Sequence, residues 1–274
     1  MFCVDRRLIR AFLFSCVSYS ALITVTQAAE DPPLDDYLFP VTSVEATVVP
    51  PIYLSVTEDY ALKYVTGPKE GQSYQVRVSP WSDGIIQAVG LPTENGPLVE
   101  FVFKRKKSGE VIDLSFKIDG VAGTDVLSDE DQLLLRNMSE SLGEVIKGTS
   151  YMLGQTLVPN ETIPCFENDL EWIAGIFDPT GENSEDLPSF ELSARCVYIG
   201  TTSFDGRRVA VFNETVQAHE ESWPSDGAVS FNMAGWRMIS LEAGIDVAYE
   251  LMNEVVVKGY RSDRFLETLV YSPL

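Results

Sequence analysis

The chain has 274 residues, of which 41 are acidic and 20 basic, and a formal net charge of −21. Such a charge repels nucleic acids and anionic lipid surfaces, which argues against a protein that binds either one through a broad basic patch. The length is sufficient for one large domain or two small ones.

The first 29 residues have the three parts of a secretory signal. Three arginines precede the apolar residues 11–25, and alanines at 28 and 29 offer a cleavage site. The apolar run is shorter than the roughly 20 residues that cross a bilayer, which disfavours an uncleaved anchor. Acylation at Cys16 is a second alternative, disfavoured because bulky Phe14 stands two residues before it. We predict an exported protein, periplasmic or extracellular.

The mature chain is predicted to begin with an extended segment, residues 30–51, rich in proline and acid at its start. A single β-rich domain is expected over residues 52–274, because apolar and polar residues alternate there in short runs between turn residues. The predicted strands are 60–65, 73–79, 84–89, 98–104, 110–119, 190–199, 207–216, 236–241, 245–252, 254–257 and 265–271.

Two of these strands have one apolar and one polar face. In strand 73–79 the residues on one face are Tyr74, Val76 and Val78, and in strand 110–119 they are Ile112, Leu114, Phe116 and Ile118. One buried face and one solvent-exposed face are typical of an antiparallel sheet that is covered on one side.

The periodicity changes at Ser128, where a hydroxyl side chain and three acids form a helix start. Apolar residues then recur at helical spacing, and Lys147-Gly148 provides a stop. The pattern predicts one central amphipathic helix over residues 129–147 that packs against the sheet. The predicted fold class is therefore α+β, mainly an antiparallel β-sheet as a curved meander or half-barrel with that helix.

Two cysteines, Cys165 and Cys196, remain once the signal is removed. An even pair in an exported chain predicts a disulfide that closes a loop of about 30 residues, worth roughly 3 to 4 kcal/mol in the chain-entropy model. A metal site of two thiolates is disfavoured because no further cysteine or histidine stands nearby.

The sequence offers little for catalysis. His219 is the single histidine, so a histidine-clustered zinc site is excluded within one chain, and no Gly-x-Ser-x-Gly elbow or phosphate-binding glycine loop is present. We predict no enzyme, no cofactor and no metal site. A carboxylate-dependent hydrolase stays as a weak alternative because acids are abundant, and the acidic loop 178–186 is expected to be solvated rather than to bind calcium.

The second half of the chain has a recognisable order of strands and turns. Residues 198–211 contain an Asp-Gly turn between two apolar runs. Residues 235–247 also have the order of a strand, a turn with glycine and a second strand. This order resembles that of bacterial envelope half-barrels, of which the periplasmic lipoprotein carriers are the best known. The resemblance covers roughly residues 55–271 and carries over no functional residue. It implies a curved antiparallel sheet with a concave apolar face suited to an acyl chain or another protein.

The side chains expected to face the helix or a ligand are Tyr74, Val76, Leu114, Phe116, Val209 and Val211. We predict an exported, non-enzymatic envelope protein that binds an apolar ligand, such as a lipid, or a protein partner on the curved sheet. A structural or assembly factor with a filled core is the nearest alternative. Neither binding to nucleic acid nor a membrane span in the mature chain is expected.

Overall fold

Twelve antiparallel strands form one sheet in the computed structural model, which describes residues 32–65, 73–91, 98–122, 150–165, 191–220, 229–257 and 263–272. The strands are β1 (Tyr60–Val65), β2 (Ser73–Trp81), β3 (Gly84–Leu91), β4 (Val99–Lys106), β5 (Val111–Ile118), β6 (Val121–Ala122), β7 (Thr162–Ile163), β8 (Glu191–Phe204), β9 (Arg207–Glu220), β10 (Val229–Ser240), β11 (Asp246–Val257) and β12 (Asp263–Ser272). Short 3-10 turns lie at Leu34–Tyr37, Val41–Ser43 and Ser150–Met152. The predicted mainly antiparallel sheet is confirmed. The predicted signal at 1–29 and the predicted helix at 129–147 lie outside the described residues.

The sheet consists of two meanders joined at their first and last strands. The strand order is β6-β5-β4-β3-β2-β1-β12-β11-β10-β9-β8-β7. Among the described connections, several consecutive strands meet at tight turns, as between β8 and β9, where Asp205 and Gly206 have φ values of 47° and 74°. Positive φ at both central residues suits the twist of a two-residue hairpin, which explains the Asp-Gly pair. The junction between the meanders is the pairing of β1 with β12, in which Leu62 stands opposite Tyr271.

The sheet is strongly curved, and two consecutive residues, Leu54 and Ser55, form hydrogen bonds with the ends of two strands that are far apart in the strand order. The Leu54 amide donates to the Lys107 carbonyl oxygen at 3.1 Å, and the next amide, Ser55, donates to the Ala243 carbonyl oxygen at 2.8 Å. Lys107 follows β4 and Ala243 follows β10, strands six places apart in the sheet. In a flat sheet such strands would lie about 29 Å apart. The sheet therefore curls towards the face on which Leu54 packs, which we call the inner face.

The chain that precedes β1, residues 32–59, contacts both faces of the sheet. Phe39 and Val44 pack on the outer face against a cluster that includes Val211 and Met238. Glu45 then forms a two-way backbone bridge with Thr201 of β8, at 2.7 and 2.8 Å. Further along the segment, the side chains of Val49, Ile52, Leu54 and Val56 belong to the inner-face cluster. The segment thus passes around β8 from one face of the sheet to the other.

A β-bulge in β5 corrects one detail of the predicted alternation. Asp113 has a φ of 50°, and the pairing with β4 shifts between Val102 and Lys104. The extra residue on β5 reverses the side on which the earlier residues of that strand point. Val111, rather than Ile112, therefore joins Leu114 and its neighbours in a second apolar cluster of the inner face, formed by β2–β5.

The predicted disulfide is confirmed. Cys165 and Cys196 are bonded, with their Cα atoms 5.9 Å apart, and both side chains are buried in the main core. The bridge ties the chain just after β7 to the middle of β8. Within the described part of the chain, none of the helices has the length and apolar character needed to cross a membrane.

Candidate functional site

The inner face of the second meander is filled by the protein's own chain. Two segments cross it and pair with each other, since Val49 and Leu157 exchange backbone hydrogen bonds of 2.9 and 2.8 Å and the Gly154 amide donates to the Ile52 carbonyl oxygen at 2.8 Å. The apolar side chains that these segments bury against β8–β12 are Val49, Ile52, Leu54, Met152, Leu153 and Leu157. This half of the inner face therefore has its occupant within the chain.

The inner face of the first meander has a separate apolar cluster, to which β2, β3, β4 and β5 contribute every described side chain. Its buried members are Val89, Phe101, Phe103 and Ile118, and its partly buried members are Val76, Val99, Val111, Leu114 and Phe116. The partly buried members retain some contact with solvent, so this cluster is less completely covered than the one on β8–β12. Only Val76 belongs to both inner-face clusters among the described residues, which makes it the junction between the two halves.

The structure brings three of the six predicted inward residues together. Val76, Leu114 and Phe116 share the apolar cluster of β2–β5. Tyr74 lies in β2 opposite Tyr64, but its side chain is outside the described part of the structure. Val209 and Val211 lie fully buried in the outer-face cluster, beneath Phe39 and Val44. The protein's own N-terminal segment covers these two valines.

Buried charged side chains lie on the inner face of β9, β10 and β11, among the apolar residues of the second meander. The Arg237 Nε donates to Glu214 Oε1 at 2.8 Å, its Nη2 donates to Glu214 Oε2 at 3.3 Å, and its Nη1 lies 3.3 Å from Asp246 Oδ2. Glu214 has no solvent exposure, and the Tyr151 hydroxyl also donates to its Oε1 at 2.8 Å. One arginine therefore balances two carboxylates in a place with little solvent.

Burial and pairing set the protonation of this cluster. Burial raises the pKa of Asp246, although Arg237 opposes that shift. For Arg237, burial lowers the pKa, but the attraction of Glu214 and Asp246 outweighs it and holds the pKa well above its usual value. Arg105, a second buried cation on this face, has its pKa lowered by burial to about 10, and Asp246 opposes the shift. Both arginines therefore stay charged at neutral pH.

A third carboxylate, Glu267, lies on β12 between two tyrosines. The Tyr64 hydroxyl donates to Glu267 Oε2 at 3.4 Å, and the rings of Tyr64 and Tyr249 meet edge to face with centroids 5.7 Å apart. The Arg237 guanidinium lies over the Tyr249 ring, 4.7 Å from its centroid. Burial raises the pKa of Glu267 to about 7, with Arg237 opposing the shift. This carboxyl group therefore titrates near neutral pH.

These charged residues were not predicted from the sequence, although the sequence contains a signal for them. The inward positions of β9 are Ala210, Phe212, Glu214, Val216 and Ala218, a series of apolar residues with one acid. Arg237 interrupts the inward positions of β10 in the same way, with Ile239 beside it. Opposite charges at inward positions of neighbouring strands indicate a buried ion pair, but reading them requires the strand pairing first.

Comparisons with known proteins give no relative from which a role could be transferred. No family model, no curated protein and no solved structure matches the chain. Among the residues that the structure describes, no three His, Cys, Asp or Glu side chains are placed to hold a metal ion. The acidic loop 178–186 lies outside them. The structure is a curved antiparallel sheet, and the resemblance to periplasmic half-barrels stays a prediction.

Proposed function

We propose that the protein is an exported, non-enzymatic envelope protein that binds an apolar ligand on the inner face of β2–β5. The observation that carries the proposal is the contrast between the two halves of the inner face. The chain's own segments fill the face of β8–β12, whereas every described member of the cluster at β2–β5 comes from the sheet. A surface that combines aromatic and branched aliphatic side chains, bordered by a few polar groups, is typical of sites for apolar ligands.

Two features support the exported location. The buried Cys165–Cys196 disulfide is of the kind that persists in oxidising compartments, and the first 29 residues have the pattern of a secretory signal. The mature chain's net charge of −23, from 17 basic and 40 acidic residues, suits a protein that works away from anionic membrane surfaces.

A structural or assembly factor is the alternative. In that case apolar side chains of the chain itself fill the face of β2–β5, as they fill the face of β8–β12. The two functions differ in one property, which is whether an added apolar molecule binds with defined stoichiometry.

The test uses Nile red, a neutral apolar fluorophore, and two variants of adjacent residues in β5. Leu114 belongs to the apolar cluster of β2–β5, whereas the exposed side chain of Ser115 points to the other face of the sheet. Leu114→Glu and Ser115→Glu add the same charge one residue apart, so the second is a matched control. We expect one saturable site in the wild-type protein, about tenfold weaker in Leu114→Glu because a carboxylate disfavours an apolar contact, and unchanged in Ser115→Glu. Absence of binding to the wild-type protein, or equal loss in both variants, would contradict the proposal.

A further inference from the structure

Two tripeptides of the chain match the acceptor pattern for an N-linked glycan, and they do so with the same three residues. Residues 160–162 and residues 213–215 both have the sequence Asn-Glu-Thr. A third match, at residues 137–139, lies outside the described residues. Because the first two tripeptides are identical, any difference between them as glycan acceptors has to come from the fold.

Asn160 lies in an exposed turn just before the edge strand β7. Its φ is 66°, a left-handed backbone conformation that asparagine adopts more readily than most residues. The Asn160 backbone amide donates to the Tyr198 carbonyl oxygen at 2.7 Å, which holds the turn against β8. No hydrogen bond joins the Asn160 side chain to the other residues that the structure describes. A glycan on its Nδ2 would therefore break none of the described contacts.

The third residue of this tripeptide is also accessible. Thr162 is exposed, whereas the next residue, Ile163, is buried in the main core. These two residues are the whole of β7, the last strand in the sheet order. The asparagine and the threonine that the acceptor pattern requires are thus both exposed at the edge of the sheet.

Asn213 has the opposite surroundings. It lies in the middle of β9, between β8 and β10, and its side-chain amide forms hydrogen bonds with the backbone of Phe39. Trp236 stands opposite Asn213 on β10, and its ring packs against the Phe39 ring. A sugar on the Asn213 Nδ2 would take the space in which Phe39 packs and would displace the N-terminal segment.

We propose that Asn160 is the acceptor of an N-linked glycan in the exported protein, and that Asn213 is unmodified in the folded chain. The donor class is a lipid-linked oligosaccharide diphosphate. Transfer forms a bond between Asn160 Nδ2 and C1 of the first sugar, breaks the bond from that C1 to the phosphate oxygen, and releases the lipid diphosphate and one amide proton. This inference is independent of the apolar ligand.

The position of Asn160 also indicates what the glycan would do. Edge strands are the places where a sheet pairs with another chain, and β7 is an edge strand of only two residues. A bulky, hydrophilic glycan on the turn before β7 would shield this end of the sheet from such pairing.

The test secretes the full chain from a eukaryotic host that attaches N-linked glycans. Release of the glycans by peptide N-glycosidase in heavy-oxygen water converts each occupied asparagine to a labelled aspartate, which peptide mass spectrometry assigns to its position. We expect label at Asn160 and none at Asn213. Thr162→Ala removes the hydroxyl that the pattern requires and should lose the label at Asn160, whereas the matched control Thr162→Ser should keep it. Both variants change an exposed side chain and retain Asn160 in its left-handed turn.

Two results would overturn the proposal. Absence of label at Asn160 in the secreted wild-type protein, or equal label in Thr162→Ala and Thr162→Ser, would show that Asn160 is not the acceptor. Label at Asn213 in protein whose residues 34–45 remain protected from amide exchange would show that the fold does not exclude this position.

Discussion

The side chain of Asn213 holds both backbone polar groups of Phe39. Its Oδ1 accepts the Phe39 amide at 2.8 Å, and its Nδ2 donates to the Phe39 carbonyl oxygen at 3.1 Å. The Phe39 ring packs edge to face against Trp236, with centroids 5.5 Å apart. The Asn213 side chain thus makes the two hydrogen bonds that a neighbouring strand would otherwise make with Phe39, and it anchors the N-terminal segment on the outer face.

Replacing Asn213 should release this segment. Asn213→Ala removes both hydrogen bonds and leaves the polar groups of Phe39 without these partners, at a cost of about 1–3 kcal/mol. We expect faster proteolysis and faster amide exchange in residues 34–45, with the sheet retained. Asn232→Ala is the control, because Asn232 donates one longer bond of 3.4 Å to Glu254. Equal protection of residues 34–45 in both variants would contradict the anchor.

Breaking the ion pair between Arg237 and Glu214 on the inner face should lower the free energy of unfolding. Arg237→Met leaves Glu214 and Asp246 without their shared cation, and a buried carboxylate that loses its partner destabilises a fold by about 3–5 kcal/mol. The double variant Arg237→Met/Glu214→Gln should recover part of this loss, because one of the two charges is then absent. Urea unfolding of the three proteins measures both effects. A double variant less stable than Arg237→Met would show that Glu214 contributes by other contacts.

The disulfide should account for a substantial part of the stability. Its cysteines are 31 residues apart, so the loop it closes is worth about 3–4 kcal/mol in the chain-entropy model. Cys165→Ser/Cys196→Ser should unfold at a lower urea concentration than the wild type, and dithiothreitol should destabilise only the wild type. If the reductant shifted both transitions equally, its effect would not come from this bridge.

Glu267 should make stability depend on pH in the acidic-to-neutral range. Its pKa rises from 4.5 to about 7 on folding, so between these values the folded state binds more protons than the unfolded state. Stability is therefore favoured at low pH and falls as the pH rises through this window, by roughly 1–3 kcal/mol. Glu267→Gln should remove this contribution and gain stability relative to the wild type more at pH 8 than at pH 5. Glu250→Gln should keep the wild-type dependence, because Glu250 lies on neighbouring β11 and its side chain alternates to the opposite face from Tyr249. An unchanged profile in Glu267→Gln would refute the assignment.

Local patterns predicted the strands well, because alternation and turn residues act within a few positions. The limits β1 60–65 and the turn at Asp205-Gly206 were predicted as the structure has them. The pairing of β1 with β12 was not predicted, because it joins residues about 200 positions apart that no local pattern connects. The placement of Val209 and Val211 beneath Phe39 has the same cause: alternation tells which residues share a face, but not which face is covered by which segment.

The most direct measurement is native mass spectrometry of the mature protein, purified gently from an exporting host and then extracted with solvent. We expect an apolar molecule bound at one copy per chain, absent after extraction and absent from Leu114→Glu but present on Ser115→Glu. A mature protein that carries no such molecule, and that takes up no apolar probe when one is added, would contradict binding of an apolar ligand at β2–β5 and favour a core filled by the protein's own side chains.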